Sequence, residues 1–441
     1  MAGLRDVPFT QYALGNGLTV ILSEERSSPV AAVMVMYHAG SKNETPGRTG
    51  LAHLFEHLMF KGSLHVGDGE HFRLLQEVGA SVNATTSEDR TNYFESVPSH
   101  YLELALYLES DRMGFLPGAL DQAKLDNQRD VVRNERRQSY DNVPYGTAYE
   151  KTAAAVFGPG HPYSWPVIGS MEDLAAATLE DAAGFFRRYY APDNACLVVA
   201  GDFERDRLGE WIEKYFGTIP SGQRVPRLPH RPPQLGEDTT LVYEEPVQLP
   251  RLFLTWPAAA RGTRREALMD LFTTILTSGK SSRLYRPLVF TDQIAQAVSA
   301  YADGKEIAGT VTIEATARPG IGLAEIEARI REVLDDILTG GVTAREIESA
   351  FNGKEAQLAA QRTTMLGTAG GLATAFTLSG DTAAFNGELQ RFADVTPEEI
   401  AEEARRVFAG PRVALNIVPA GAGALATTAG RPRAGTGSGV A

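Results

Sequence analysis

Two histidines and a glutamate lie close together in the stretch His53-Leu54-Phe55-Glu56-His57. On an α-helix, residues four apart are neighbours, so His53 and His57 can present ring nitrogens to one metal ion. Glu56 follows His53 by three residues and therefore lies on the same side, where it can take a proton from a water molecule. Because neutral imidazole is a favoured zinc ligand, this spacing predicts a zinc site.

An apolar stripe predicts the helix that carries these side chains. Leu51, Leu54 and Leu58 recur at helical spacing on the side away from the histidines. Thr49 is a candidate N-cap, and Gly62 is placed to end the helix. A lone histidine on a helix is usually a surface or core residue, but the complete three-residue pattern favours a pair of ligands.

An open catalytic zinc site needs one more protein ligand, which leaves one coordination position for water. A charged helical stretch at residues 120–140 offers three carboxylates for this role, Asp126, Asp130 and Glu135. Helical spacing alone does not choose among them, because a charged helix face is usually only solvated.

The order of predicted elements repeats in the two halves of the chain. In the first half, predicted strands cover residues 9–23, 30–37, 80–86, 90–97 and 194–200, and further helices cover residues 69–78, 100–115 and 120–140. Residues 240–243 and 251–256 repeat the opening strands, and residues 266–279 repeat the metal helix. In that second helix Asp270, Thr273 and Thr274 replace the metal triad. The scaffold is therefore predicted to be duplicated without its chemistry.

These elements predict an α+β fold class with two similar domains, each a largely antiparallel sheet packed with helices and related by internal duplication. Residues 1–219 form the predicted zinc-bearing domain, and residues 239–420 form the domain without a metal. Residues 220–238 contain five prolines and are typical of a linker. Residues 421–441 are mostly Gly, Ala, Thr and Ser and are predicted to form a flexible tail.

Composition limits the partners. The chain has 441 residues, of which 43% are hydrophobic, and this is enough for more than one domain. The net charge of −13 argues against nucleic acid or an anionic membrane surface as a partner. No membrane span and no export signal are visible, so we expect a soluble protein, cytoplasmic on the sequence as given and periplasmic if a signal peptide was removed. The only cysteine, Cys196, excludes an internal disulfide and is predicted to be a buried strand residue.

The metal motif and the charged helix together resemble the inverzincin metallopeptidases, the family of pitrilysin, insulin-degrading enzyme and the mitochondrial processing peptidases. The inverted motif is His53 to His57, and the run VVRNE at residues 131–135 resembles the segment that ends in the family's third ligand. The resemblance covers about residues 9–419. It implies that Glu135 completes the metal site, that Glu56 is the catalytic base and that each chain binds one Zn²⁺.

The resemblance also implies a strand that holds substrate. The family's Asn-Ala-x-Thr segment, which hydrogen-bonds to an extended peptide, matches Asn83, Ala84, Thr85 and Thr86. A free strand edge beside a metal can hold a peptide backbone of any sequence. The alternative for Asn83 is a bulge or turn residue. Gln128 departs from the family pattern, because relatives commonly carry a second Glu there, and the neutral amide can alter metal affinity or the base strength of the catalytic glutamate.

A second departure concerns two residues that contact substrate. Peptidases of this family place an Arg and a Tyr, seven apart, near the zinc from the second half or from a partner subunit. Val289 and Gln296 occupy these positions, whereas Arg283 and Tyr285 are near but differently spaced. The chain therefore resembles the half-size members that act as paired subunits. The implied partner is a homologous subunit that lacks the zinc motif, giving a heterodimer, or a second copy, giving a homodimer.

The resemblance implies a zinc-dependent endopeptidase subunit that hydrolyses peptide bonds in peptides or unfolded segments. Two alternatives from other classes remain. The chain can be a scaffold or assembly subunit with a vestigial zinc site, which the neutral residue at position 128 favours. It can also be a peptide-binding module that holds a peptide without cutting it.

Overall fold

The computed structural model of the chain describes residues 4–427. Its strands are β1 (Thr10–Ala13), β2 (Thr19–Glu24), β3 (Val30–Tyr37), β4 (Ser81–Thr86), β5 (Thr91–Pro98), β6 (Ala195–Gly201), β7 (Thr239–Glu245), β8 (Arg251–Ala258), β9 (Ala295–Gly304), β10 (Gly309–Ala317) and β11 (Val413–Pro419). Its α-helices are α1 (Leu51–Leu58), α2 (Glu70–Glu77), α3 (Leu102–Phe115), α4 (Gln122–Arg136), α5 (Ala148–Phe157), α6 (Met171–Ala176), α7 (Leu179–Tyr189), α8 (Arg205–Phe216), α9 (Arg264–Thr277), α10 (Leu323–Gly340), α11 (Ala344–Gln361), α12 (Met365–Ser379), α13 (Ala384–Gly387) and α14 (Pro397–Phe408). The predicted α+β fold class is confirmed, since the strands form two mainly antiparallel sheets packed with helices.

The described residues divide into two compact units, and neither is continuous in sequence. Unit 1 consists of residues 4–136, 165–227 and 355–389, and unit 2 of residues 137–164, 228–354 and 390–427. Each unit therefore contains one helical segment from the opposite half of the sequence, α12 in unit 1 and α5 in unit 2. The predicted domains, 1–219 and 239–420, are continuous in sequence and follow the internal repeat. They do not include the exchange of α12 and α5 between the two halves. It arises because these two helices bury apolar side chains on the sheet of the other half.

Unit 1 is built on a six-stranded sheet with the order β1-β2-β6-β3-β5-β4. Only β2 and β6 pair in parallel, and every other neighbouring pair is antiparallel. Helix α12 covers one face, where Leu372 and Ala373 pack with Met34 and Val198. Helices cover the other face too, so β6 is buried along its whole length. Its sequence is accordingly a continuous apolar run. Cys196 lies within this strand as a buried free thiol, as predicted.

Unit 2 repeats the topology of unit 1. Its five strands have the order β7-β11-β8-β10-β9, with β7 and β11 parallel. The same order and the same single parallel pair are found for β2-β6-β3-β5-β4 in unit 1. Helix α9 lies between β8 and β9 in sequence, as α1 lies between β3 and β4. The predicted duplication is therefore present in the connectivity of both sheets.

Three sequence expectations need correction at element ends. The N-cap of α1 is Gly50 and not Thr49, whose hydroxyl instead donates to Asp173 Oδ2 at 2.6 Å. The helix ends at Leu58, four residues before the predicted Gly62. Of the predicted tail, residues 423–425 form a short 3₁₀ turn, and the part after residue 427 lies outside the described residues.

Residues 220–238, the predicted linker, contain no helix or strand. Among residues 4–427, no helix combines the length and the apolarity needed to cross a bilayer.

Candidate metal centre

Helix α1 presents the predicted triad on one side and its apolar residues on the other. The imidazoles of His53 and His57 are neighbours, with ring centroids 4.9 Å apart. Leu54 and Phe55 are fully buried, whereas the two histidines and Glu56 are partly accessible. The helical spacing in the sequence therefore leads to the expected arrangement.

Helix α4 brings a third potential ligand to the same place. Glu135 Oε2 lies 3.3 Å from His57 Nε2, and Glu135 Oε1 lies 3.7 Å from His53 Nε2. One ligand atom from each of these three residues lies within 4.8 Å of the others. The other two candidate carboxylates, Asp126 and Asp130, pair instead with arginines on their own helix.

The electrostatics of this cluster suit a divalent cation with nitrogen and oxygen ligands. Burial, reinforced by the neighbouring His57, lowers the pKa of His53 to about 4, so its ring is neutral and able to act as a ligand at physiological pH. The hydrogen bond with His57 holds the pKa of Glu135 below its usual value, with both histidines contributing. Within the described residues, His53 Nδ1 is buried and has no hydrogen-bond partner. Two imidazoles and one carboxylate form a ligand set that fits zinc and leaves a coordination position open.

Glu56 is oriented by a residue that the sequence assigned to substrate binding. The hydroxyl of Thr86 donates to Glu56 Oε2 at 2.5 Å. Burial raises the pKa of Glu56, an effect that the Thr86 hydroxyl and His57 partly offset. A carboxylate whose pKa is raised toward neutrality is better suited to accept and return a proton.

The start of α1 is fixed by a buried acid that the sequence did not indicate. Glu44 Oε2 accepts from Gly50 N at 2.9 Å, and Glu44 Oε1 accepts from Ala52 N at 2.8 Å. These two amides are at the N-terminus of the helix, where no intrahelical acceptor exists. Burial raises the pKa of Glu44 to about 8, although both amides act in the opposite direction.

A close backbone contact ties the start of α1 to the end of α4. Gly50 has a φ of +89°, and a Cβ placed on it would lie 2.7 Å from Ile168 O and 3.0 Å from Gly169 Cα. The guanidinium of Arg136, next to the third potential ligand, donates to Gly169 O at 2.8 Å. One short loop therefore sets the positions of both helices that carry the cluster.

The predicted substrate strand is β4, which lies at the edge of the sheet beside β5 among residues 4–427. Asn83 is exposed, and its side-chain oxygen accepts from the next amide, Ala84 N, at 2.8 Å. The Thr85 hydroxyl donates to Asn92 Oδ1 at 2.5 Å. Arg90 donates to the carbonyl of Thr85 at 2.8 Å. The strand thus has a free edge beside the cluster, but two of its side chains already have partners within the sheet.

Gln128 lies two turns before Glu135 in α4 and is buried. Its amide donates to Asn127 Oδ1 at 2.6 Å, and no hydrogen bond joins it to a cluster residue within residues 4–427.

The two positions expected to hold an Arg and a Tyr lie in unit 2. Val289 packs against the core of that unit, and Gln296 is exposed near the start of β9. Arg283 forms two hydrogen bonds to Glu346, and Tyr285 packs on the same core. The nearby Arg and Tyr therefore serve the packing of unit 2.

Comparison with known proteins identifies the family. Residues 19–157, which include the whole cluster, match the family model described as insulinase (peptidase family M16), and residues 176–354 match the model described as peptidase M16 inactive domain. The zinc protease PqqE of Helicobacter pylori is 31% identical over 341 residues, which are 76% of this chain and 76% of that protein. This chain belongs to the M16 peptidase family. The predicted resemblance is therefore confirmed.

Further matches come from one sequence relative and two solved structures. The mitochondrial-processing peptidase subunit beta of Lentinula edodes is 28% identical over 214 residues, which are 48% of this chain and 45% of that protein. A solved structure of a protease from Helicobacter pylori matches with a TM-score of 0.87 and 26% identity, covering 93% of this chain and 99% of that one. The peptidase M16 inactive domain from Pseudomonas fluorescens matches with a TM-score of 0.82 at 17% identity, a likeness that concerns the fold alone.

Proposed function

We propose that this chain is the zinc-bearing subunit of an endopeptidase that hydrolyses peptide bonds in peptides or unfolded segments. The observation that carries the proposal is the convergence of His53, His57 and Glu135 within 4.8 Å, next to a carboxylate that is not itself part of the cluster. Several relatives are named zinc proteases, which supports the same reaction class. In this proposal the three side chains hold one Zn²⁺ per chain.

The roles of the residues follow from where they lie. A zinc ion held there supplies Lewis-acid chemistry, polarising a scissile carbonyl and lowering the pKa of a water molecule. Glu56 accepts the proton of the attacking water at a carboxylate oxygen and returns it to the nitrogen of the leaving amine. The Thr86 hydroxyl holds that carboxylate in one orientation through its bond to Oε2. The free edge of β4 pairs with the substrate backbone, with Asn83 and Thr85 on the exposed side.

The proposal includes a partner subunit. Val289 and Gln296 cannot supply the charge and the phenol expected of an Arg and a Tyr. A homologous chain that carries those two residues and lacks the zinc motif would complete the site, and a second copy of this chain is the alternative partner. The name of the fungal relative, a subunit, is consistent with such pairing.

Replacement of the base separates catalysis from metal binding. In the complex with the partner subunit, we expect Glu56→Gln to keep about one zinc ion per chain and to lower turnover of a quenched fluorescent peptide by ~10²–10⁴-fold. His57→Ala is expected to lose both zinc and activity. Glu77→Gln, an exposed glutamate on the neighbouring helix α2, is the matched control and is expected to retain both. Wild-type turnover in Glu56→Gln would show that another group is the base.

Assay conditions test the subunit claim. The isolated chain is expected to be nearly inactive, and addition of the complementary homologous chain is expected to restore cleavage that a chelator abolishes. Full activity of the isolated monomer would contradict the requirement for a partner.

Gln128 favours one further candidate, a scaffold subunit whose zinc site no longer turns over. The buried amide adds no negative charge at a position where relatives commonly carry a carboxylate. If the chain is such a scaffold, the paired complex will bind zinc without cleaving peptides. Gln128→Glu would then be the variant in which to look for recovered activity.

A further inference from the structure

A cavity lies entirely within unit 2, and none of the residues that line it belongs to the candidate metal centre. Its volume is about 230 Å³, and it is bounded by α5, by the turn that precedes α5 and by one face of β8, β9 and β10. Four charged side chains line it, Arg251, Asp303, Lys305 and Glu314, together with the rings of Tyr145, Tyr149 and Tyr301. A sheet face that carries this many charges and hydroxyls has a composition unlike that of a packing surface.

The sequence of β10 shows how this face differs from the opposite one. Val311 and Ile313 are fully buried in the main core of unit 2. Thr310 and Thr312 alternate with them and face the cavity, and Thr312 pairs across the sheet with Thr255, the two hydroxyl oxygens lying 2.9 Å apart. Because alternate residues of a strand point to opposite faces, β10 has one apolar face and one polar face. The polar face is where the cavity lies.

Two of the four charges neutralise each other, since Lys305 forms an ion pair with Asp303. The other two, Arg251 and Glu314, form no ion pair among the residues that the structure describes. Arg251 donates from Nε to Thr316 Oγ1 at 2.8 Å, and its guanidinium lies 3.9 Å from the centre of the Tyr145 ring.

No carboxylate within 4 Å pairs with Arg251 and no cation pairs with Glu314 in the part of the chain that the structure describes. In the register of β8 and β10, Arg251 faces Thr316 and Phe253 faces Glu314, so the two charges are diagonal neighbours on the same face. The cavity therefore holds a cation and an anion side by side without a direct ion pair.

This arrangement is complementary to a small zwitterion. We propose that the cavity binds a free α-amino acid, with the ligand carboxylate on Arg251, the ligand ammonium on Glu314 and an apolar or aromatic side chain against the tyrosine rings. A guanidinium fork matches a carboxylate, and tyrosine supplies apolar contact with little loss of conformational entropy. The cavity is smaller than the roughly 300–1,000 Å³ of most pockets for drug-sized ligands, which matches a single residue or a dipeptide.

Binding of L-phenylalanine to the full-length chain tests the proposal directly. Isothermal titration is expected to give one site per chain with a Kd of about 1 mM or tighter. Phenethylamine, which lacks the carboxylate, and 3-phenylpropionate, which lacks the ammonium, are each expected to bind at least ~10-fold more weakly. The Kd of the dipeptide Phe-Phe is measured in the same series. Tighter binding of L-phenylalanine than of Phe-Phe is expected for a site that holds a single free amino acid. Binding of either singly charged analogue as tight as that of L-phenylalanine would overturn the proposal.

Two variants locate the site. Glu314→Gln keeps the shape of the side chain and is expected to weaken L-phenylalanine binding by at least ~10-fold, and Arg251→Met, which keeps an apolar stem, is expected to do the same. Arg331→Gln, an exposed arginine on α10, is the matched control and is expected to bind as the wild type does. Circular dichroism checks whether Arg251→Met is folded. If Arg251→Met is unfolded, the binding of L-phenylalanine to Glu314→Gln alone tests the site. Wild-type affinity in Glu314→Gln, or no saturable binding to the wild type up to ~10 mM, would refute the assignment.

The metal centre is a second place where an amino acid could bind, so the titration is run with zinc and again with a chelator. Affinity that is unchanged by the chelator is expected for the unit 2 cavity, and affinity that is lost with the metal would assign binding to the cluster and contradict the proposal. The inference does not depend on peptidase activity, because it is measured by binding alone.

Discussion

A buried charge cluster in unit 1 allows the sharpest test of how this fold is held together. Arg112 is almost fully buried and forms two hydrogen bonds to the equally buried Glu109. Its guanidinium lies 4.9 Å from the centre of the Phe60 ring and 4.4 Å from that of Tyr93. The Tyr93 hydroxyl in turn donates to the carbonyl of Phe55 in the metal helix at 3.3 Å. The buried pair therefore supports the element that carries the metal centre.

A second buried acid lies beside this pair. Neither carboxylate oxygen of Glu95 has a hydrogen-bond partner among the described residues. Burial and the neighbouring Glu109 raise the pKa of Glu95 well above its usual range, with Arg112 acting in the opposite direction. The folded protein therefore keeps a proton on Glu95 up to a higher pH than the unfolded chain does.

The two glutamates should respond very differently to the same substitution. Glu109→Gln leaves Arg112 as an unpaired buried cation, and breaking such a pair costs about 3–5 kcal/mol. Glu95→Gln replaces a neutral carboxyl by a neutral amide of the same shape and should cost less than about 1 kcal/mol at pH 5. When Glu109 is absent, Glu95 can ionise and pair with Arg112, so the Glu109→Gln cost should lie near the lower end of its range. The double variant removes this substitute and should be less stable than the sum of the single costs by at least ~1 kcal/mol.

The pH dependence has a definite sign. Between the unfolded pKa of Glu95 and its raised folded pKa, the folded state binds one more proton than the unfolded state, so wild-type stability falls as pH rises. The slope for one proton is about 1.4 kcal/mol per pH unit, and Glu95→Gln removes it. The variant should therefore gain stability relative to the wild type as the pH rises above the unfolded pKa of Glu95. Urea denaturation followed by far-UV circular dichroism at several pH values measures both effects, and equal costs for the two single variants, or a difference that does not change with pH, would refute the reasoning.

Three further changes probe the site and unit 2. Glu44→Ala leaves two buried helix amides without acceptors and should lower the free energy of unfolding by about 2–3 kcal/mol in urea denaturation. Thr86→Val should lower kcat by ~10-fold with little change in KM if the hydroxyl orients Glu56, whereas a mainly raised KM would assign it to substrate binding. Glu346→Gln should cost about 1 kcal/mol at pH 7, allowing for solvent screening, because Arg283 holds the pKa of this carboxyl at about 2. That cost should disappear as the pH of the denaturation experiment is lowered from about 4.5 toward 2.

Local pattern was enough to predict the side chains that come together in the candidate metal centre but not the contacts that hold them in place. The spacing of His53 and His57 predicts one helical face, and this face is present. Nothing in the sequence marks Glu44 as the acceptor for Gly50 and Ala52, because an acid in the loop before a helix has no periodicity that would distinguish it. The contact between Gly50 and Gly169 joins residues that are far apart in the chain. In the sequence, each glycine by itself indicates only a turn. Such contacts depend on the tertiary fold, so a single sequence gives no signal for them.

The internal repeat shows which side chains join the corresponding helix pair in unit 2, where the sequence lacks the His-His-Glu triad. In unit 2, α9 and α11 correspond in order to α1 and α4, and Asp270 stands in the place of His53. Asp270 forms an ion pair with Lys354 of α11, and the hydroxyls of Thr273 and Thr274 donate to Asp270 O at 3.0 and 2.9 Å. Every polar group of that triad is thus satisfied within the protein. In unit 1 the corresponding helix pair instead brings His53 and His57 together with the Glu135 carboxylate, with one ligand atom from each lying within 4.8 Å of the others. Since a simple ion pair joins this helix pair in unit 2, the convergence of two imidazoles and a carboxylate in unit 1 is better explained by a ligand than by packing.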